Sequence, residues 1–123
     1  MPKVTLGGTQ FEVPPLVPRQ QRHVIPALLR AVPAMVAWQA EVKAGKIFEA
    51  EYPLAAYDDM LTVAYWGAVW PSNKSSDRDI ILDMQISHAE LTTACLAVQM
   101  QTGLFAKAEP GAPEPEKKTA AQA

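Results

Sequence analysis

The chain opens on a short alternation of apolar and polar positions: Val4 and Leu6 against Lys3 and Thr5, then Thr9, Phe11 and Val13 against Gln10 and Glu12. Between the two runs stand Gly7 and Gly8, which tolerate the positive φ of a primed two-residue turn. With that turn in place Leu6 faces Thr9 and Val4 faces Phe11. Side chains alternate faces along a strand, so the apolar positions of both runs fall on one side. An isolated two-stranded hairpin is marginal in water, so this side must lie on helices of the chain or on the sheet of another subunit. Pro14 and Pro15 end the second strand by withholding ladder donors.

The period then changes to that of a helix. From Pro18, which suits a first turn, Val24, Ala27, Leu28 and Ala31 recur at the spacing of one helical face. Pro26 lies inside this pattern and lacks the N–H that would bond residue 22, so a kink or break is expected there. Pro33 opens a further helical segment that ends near Gly45, a suitable C′ residue. From Pro53 to Trp70, Leu54, Tyr57, Leu61, Ala64, Tyr65 and Ala68 mark the most apolar element, with Pro71 expected to stop it. After the polar link Pro71–Asp77, Ser76 or Asp77 can cap a short helix through Asp83. Ser87 stands three residues before Glu90, the signature of a capping box. The helix it starts carries Leu91, Ala94, Cys95 and Val98 on one face and ends near Gly103. Beyond Phe105 the chain alternates proline, charge and alanine without a large apolar side chain, too little to offset the entropy of ordering. These patterns predict an α+β fold that is predominantly α-helical: an N-terminal β-hairpin, a four- to five-helix domain over 1–105, and a disordered tail over 106–123.

Composition narrows the range of functions. At 123 residues, 49% apolar and 20% charged, the chain suits one globular domain. A formal charge of −2 gives no electrostatic footprint for nucleic acid, and no apolar run reaches the roughly 20 residues of a membrane span. Neither nucleic acid nor membrane is an expected partner. The lone Cys95 cannot form an internal disulfide, and the start lacks a secretory h-region, so a reducing cytoplasmic setting is expected.

No catalytic constellation emerges, and no enzyme activity, cofactor or metal is expected. His23 and His88 have no second ligand at metal spacing and read as surface residues at helix starts. Asp58 and Asp59 are adjacent, hence about 100° apart on a helix, and are better explained as carboxylates near a helix N-terminus. Gly7 and Gly8 lack the context of a phosphate cradle. Residues 76–99 have the outline of a helix-turn-helix, but the second helix begins His88-Ala89-Glu90 with no Arg or Lys for DNA, which leaves a small DNA-binding regulator as a remote alternative. The surplus lies in apolar surface. Trp66 and Trp70, four residues apart, and Tyr57, Leu61 and Tyr65 make the central helix apolar nearly all round, so it is either enclosed or covered by a partner. With Phe11 and Val13 of the hairpin, these seven residues form the candidate partner-binding set.

The succession "VTLGGTQFEVPPL", "RQQRHVIPALL", "YDDMLTVAYWGAV" and "VQMQTGL", followed by a proline-rich tail, resembles the small tail assembly chaperones of long-tailed bacteriophages and prophages. The resemblance spans residues 3 to 105. It implies a non-enzymatic morphogenesis factor that binds the tape measure protein and aids assembly of tail tube subunits. Such a factor works in the cytoplasm of the bacterial host and is not expected in the mature virion. The chain departs from the family pattern at Pro26 and Pro33, and after Trp70, where relatives more often carry basic residues. A structural virion component, such as a head–tail connector or tail completion subunit, is the alternative, and a homo-oligomer stays open.

Overall fold

The computed structural model describes residues 1–104; the expected tail lies outside the described residues. Strands β1 (Lys3–Leu6) and β2 (Thr9–Glu12) pair antiparallel with Val4 opposite Phe11 and Leu6 opposite Thr9. Gly7 and Gly8 have φ of 60° and 84°, both in the region that the primed turn requires. Val4, Leu6 and Val13 are buried while Lys3, Thr5, Gln10 and Glu12 face solvent, and the apolar side of the hairpin rests on helix α4 (His88–Gln101).

Helix α1 runs unbroken from Pro18 to Lys43, so the break expected at Pro26 and the separate segment expected from Pro33 are both corrected. The two prolines are seven residues apart, close to two full turns, and both stand on the exposed side. The carbonyls they leave without donors belong to Arg22 and Leu29, which also face solvent, where water replaces the lost N–H. On the opposite side Val24, Ala27, Leu28, Ala31 and Met35 are buried. Gly45, at φ 91°, closes the helix: its N–H donates to the Val42 carbonyl and that of Lys46 to Glu41, each at 3.0 Å, the paired bonds of a Schellman motif.

The central helical rod is more varied than its sequence suggests. It consists of α2 (Leu54–Ala64), a π-helical turn (Tyr65–Val69) and α3 (Trp70–Asn73). Pro71 was expected to stop it; instead the rod passes through Pro71 and ends where Lys74 turns left-handed at φ 59°. In the wider register of a π turn the partner of the Trp66 carbonyl would be residue 71, and proline has no N–H to give. The Gln20 side chain donates to that carbonyl instead, at 2.7 Å. Gln20 is 2% exposed, and its Oε1 accepts from the Val17 N–H at 2.9 Å, so one buried amide ties the start of α1 to the π turn.

A 3₁₀ helix over Arg78–Asp83 takes the place of the expected short helix, capped by Asp77, whose side chain accepts from the Asp79 N–H at 3.0 Å. At α4 the capping box forms as its sequence signature indicates. The Glu90 N–H donates to Ser87 Oγ at 3.1 Å and the Ser87 N–H to Glu90 Oε1 at 3.2 Å. Leu91, Ala94, Cys95 and Val98 are buried, and Gly103 has φ 75° just past the end. Hairpin, α1, rod and α4 share one core, an α+β fold in which helix predominates. Among the described residues no helix is long and apolar enough to cross a membrane.

Candidate functional site

Helices α1 and α4 both pack on α2 and leave a furrow between them. Its floor comes from Leu28, Ala31 and Met35 of α1, Met60 and Val63 of α2, and Cys95 of α4. Its walls are Val32 and Val36 on one side and Leu96 on the other, with Gln39, Thr92 and Gln99 at the rim; the cavity measures about 420 Å³. No charged side chain lines it. Val36 is 60% exposed, Leu96 57% and Val32 38%. Each helix extends the apolar strip by its own period: Leu29, Val32 and Val36 lie at i, i+3 and i+7 on α1, and Leu96 and Met100 at i and i+4 on α4. A furrow of this shape and polarity suits the apolar face of another helix.

Cys95 offers no nucleophile to the furrow. Its thiol is buried, donates to the Met60 carbonyl at 3.3 Å, and has its pKa pushed up to about 12 by desolvation. Among the described residues no three His, Cys, Asp or Glu side chains are grouped to hold a metal ion. Asp59 meets Arg30 in a forked contact, 2.9 and 3.1 Å, on the surface, while Asp58 points elsewhere and is exposed. His88 shares a 2.7 Å hydrogen bond with the Tyr52 hydroxyl; burial, then the nearby Tyr57, raises the pKa of that phenol.

The seven residues singled out from sequence do not form one surface. Val13, Leu61, Tyr65 and Trp66 are buried, and Phe11, Tyr57 and Trp70 are half-buried. Trp66, 7% exposed, packs edge-on to Tyr65 and against Trp70 at ring separations of 5.5 and 5.7 Å, and the Lys74 ammonium sits 4.2 Å above the Trp70 ring. Tyr57 is apart from them, near Tyr52 and His88. Phe11 lines a separate hollow with Pro14, Ala68 and Pro71. Val13, Leu61 and Tyr65 are enclosed, Trp66 shows only a small area at a separate hollow, and Trp70 is half-buried, so the seven residues do not make one continuous gripping face. The π turn and Gln20 draw this part of the rod inward. Sequence reasoning missed Val32, Val36 and Leu96, although the widening of the apolar stripe on α1 from Val24–Ala31 to Leu29, Val32 and Val36 was a usable signal.

A second hollow of about 410 Å³ lies at the start of α1, lined by Pro18, Arg19, Arg22, His23, Trp66 and Ser76. The His23 ring stacks on Trp66, 4.1 Å between centroids and 4° from parallel. Burial, then Arg22 and Arg19, lowers the His23 pKa. Neither Arg19 nor Arg22 has a salt-bridge partner among the described residues.

Comparison with known proteins finds no family model, no curated protein and no solved structure that matches the chain.

Proposed function

We propose that the chain is a non-enzymatic protein-binding factor that seats the apolar face of a client helix in the furrow between α1 and α4. The uncharged furrow with Val32, Val36 and Leu96 open to solvent supports this reading more than any other feature. A surface of this kind is unfavourable in water and is satisfied by an amphipathic helix with anchors one turn apart. The resemblance to tail assembly chaperones supplies the client: the tape measure protein, a long helical chain that must stay soluble before tail tube subunits close around it. In that role the factor acts in the cytoplasm of the bacterial host and leaves before the virion is complete.

The test is a titration of helical peptides from the tape measure protein against the unaltered chain and a Val36→Glu/Leu96→Glu variant. Both positions are exposed, so folding stability should change little. Burial of an aliphatic side chain is worth about 1.5–3 kcal/mol, so losing both contacts should weaken binding by at least about a hundredfold. Equal affinity in the two proteins would rule the furrow out.

A structural virion component is the second reading. It is favoured by the hairpin: β1 and β2 pair only with each other among the described residues, leaving an outer edge on each that a neighbouring subunit could extend. Mass spectrometry of purified particles separates the two, since a chaperone is absent and a virion component is retained.

A further inference from the structure

The hollow at the start of α1 has no part in the furrow. Pro18, Arg19, Arg22 and His23 of α1 line it with Trp66 of the rod and Ser76 of the polar link, and no carboxylate is among them. Its charges run against the helix. α1 carries Arg19, Arg22 and His23 in its first two turns and no acidic residue in its first turn. The start of a helix is the positive end of its macrodipole, where carboxylates are favoured and cations opposed. By contrast, α4 has Glu90 in its first turn, and Arg30 of α1 is held by Asp59. Arg19 and Arg22 have no salt-bridge partner among the described residues, so two guanidinium groups and the helix end repel one another across one opening. An anion seated there turns each of these repulsions into an attraction.

The floor supplies further donors. Trp66 is 7% exposed, and the area it exposes lies at this hollow. Its indole N–H has no acceptor among the described residues and yet is not sealed from solvent, so it opens into the hollow. The Arg19 N–H also has no backbone acceptor, as is usual in a first turn. Two guanidinium forks, an imidazole, an indole N–H and the Ser76 hydroxyl offer more donors than the two oxygens of a carboxylate accept. A phosphoryl group presents three terminal oxygens and a charge of about −1.5 to −2, and the arginine fork fits two of its oxygens at once. The cavity of about 410 Å³ lies within the roughly 300–1,000 Å³ of small-molecule sites, with Pro18 and the His23 ring as apolar contacts for whatever carries the group.

We propose that this hollow is a binding site for a phosphoryl dianion, held by Arg19, Arg22 and His23 with the Trp66 indole N–H as a further donor. Free phosphate and a small phosphate monoester share that chemistry, and the volume favours the ester.

The test follows the His23 ring and the Trp66 indole N–H by NMR while inorganic phosphate or phenyl phosphate is added to the full chain at neutral pH. Both resonances should move together and saturate, with a Kd of about 1 mM or below. No saturable change with either probe overturns the proposal. Bound phosphate should also raise the His23 pKa by about one unit, since an anion within about 4–6 Å favours the imidazolium; apart from Arg19 and Arg22, the side chains lining the hollow around that ring are neutral. An unmoved His23 titration would place the anion elsewhere and overturn it as well. Arg19→Gln/Arg22→Gln, at two exposed positions, should weaken binding at least about tenfold. Lys43→Gln/Lys46→Gln removes the same charge at the other end of α1 and should change binding by less than about twofold. Equal losses in the two variants would mean attraction by net charge alone, and benzoate binding as tightly as phenyl phosphate would mean a carboxylate site; either result defeats the assignment. With the phosphoryl site upheld, tighter binding of phenyl phosphate than of inorganic phosphate identifies a monoester as the source, and equal binding identifies the free anion. The Val36→Glu/Leu96→Glu variant should bind both probes normally, so the furrow and the hollow can fail separately.

Discussion

At Cys95 the surroundings decide the chemistry. A thiolate at this depth would give up water and gain no cation, so the proton stays on sulfur up to about pH 12. Because the folded value lies above the ordinary 9.0, this residue's share of stability is complete below pH 9.0 and is lost as pH rises through the folded value. The urea midpoint should therefore fall less between pH 9 and roughly pH 11 in Cys95→Ala than in the unaltered chain. Parallel declines would show that the thiol is not buried in solution. Cys95 was legible as a small buried residue because Ala94, Leu91 and Val98 place it on an apolar face. Its bond to the Met60 carbonyl was not, since that partner is 35 positions away.

Among elements, the local ones could be read from the sequence and the long-range one could not. Gly7-Gly8 fixes the parity of the hairpin, and Ser87 with Glu90 fixes the start of α4, each through bonds made within a few residues. The π turn depends on a partner 46 positions away in sequence, Gln20, and nothing near Trp66 announces it. The same distance explains why Pro26 and Pro33 misled: a proline's effect depends on which side of the helix is wet, and only the packed structure shows that. Gln20→Leu should leave both the Trp66 carbonyl and the Val17 N–H without partners, one of them buried, at a loss of about 1–3 kcal/mol. Urea unfolding of the single variant measures it. A loss near zero would mean that water enters the turn and takes over the bond.

At the scale of the whole molecule, two layers approach each other closely at Gly67. A Cβ built there would overlap the Val98 side chain, so the π turn and α4 meet at a distance only glycine allows. Gly67→Ala should reduce stability by about 1–3 kcal/mol, as overpacked cores do. Val98→Ala in the same chain should recover part of it, with a coupling of at least about 0.5 kcal/mol in a double-mutant cycle. Strict additivity would show that α4 shifts aside instead. This approach also explains why the apolar surplus visible in the sequence lies elsewhere than expected. The rod around Trp66 is covered by α4, the hairpin and Gln20, and the open apolar area falls elsewhere, in the furrow between α1 and α4 over α2. Periodicity could show that apolar surface exceeded one face, but only packing decides which part stays uncovered.

The placement of Pro26 and Pro33 has a mechanical consequence. A rod notched twice along one side yields most easily in the plane of its notches, and the missing rungs at Arg22 and Leu29 lie on the side of α1 turned from the core. The wall that carries Val32 and Val36 thus lacks two backbone rungs on its outer side, whereas α4 is capped at Ser87 and packs through Val98 against Gly67.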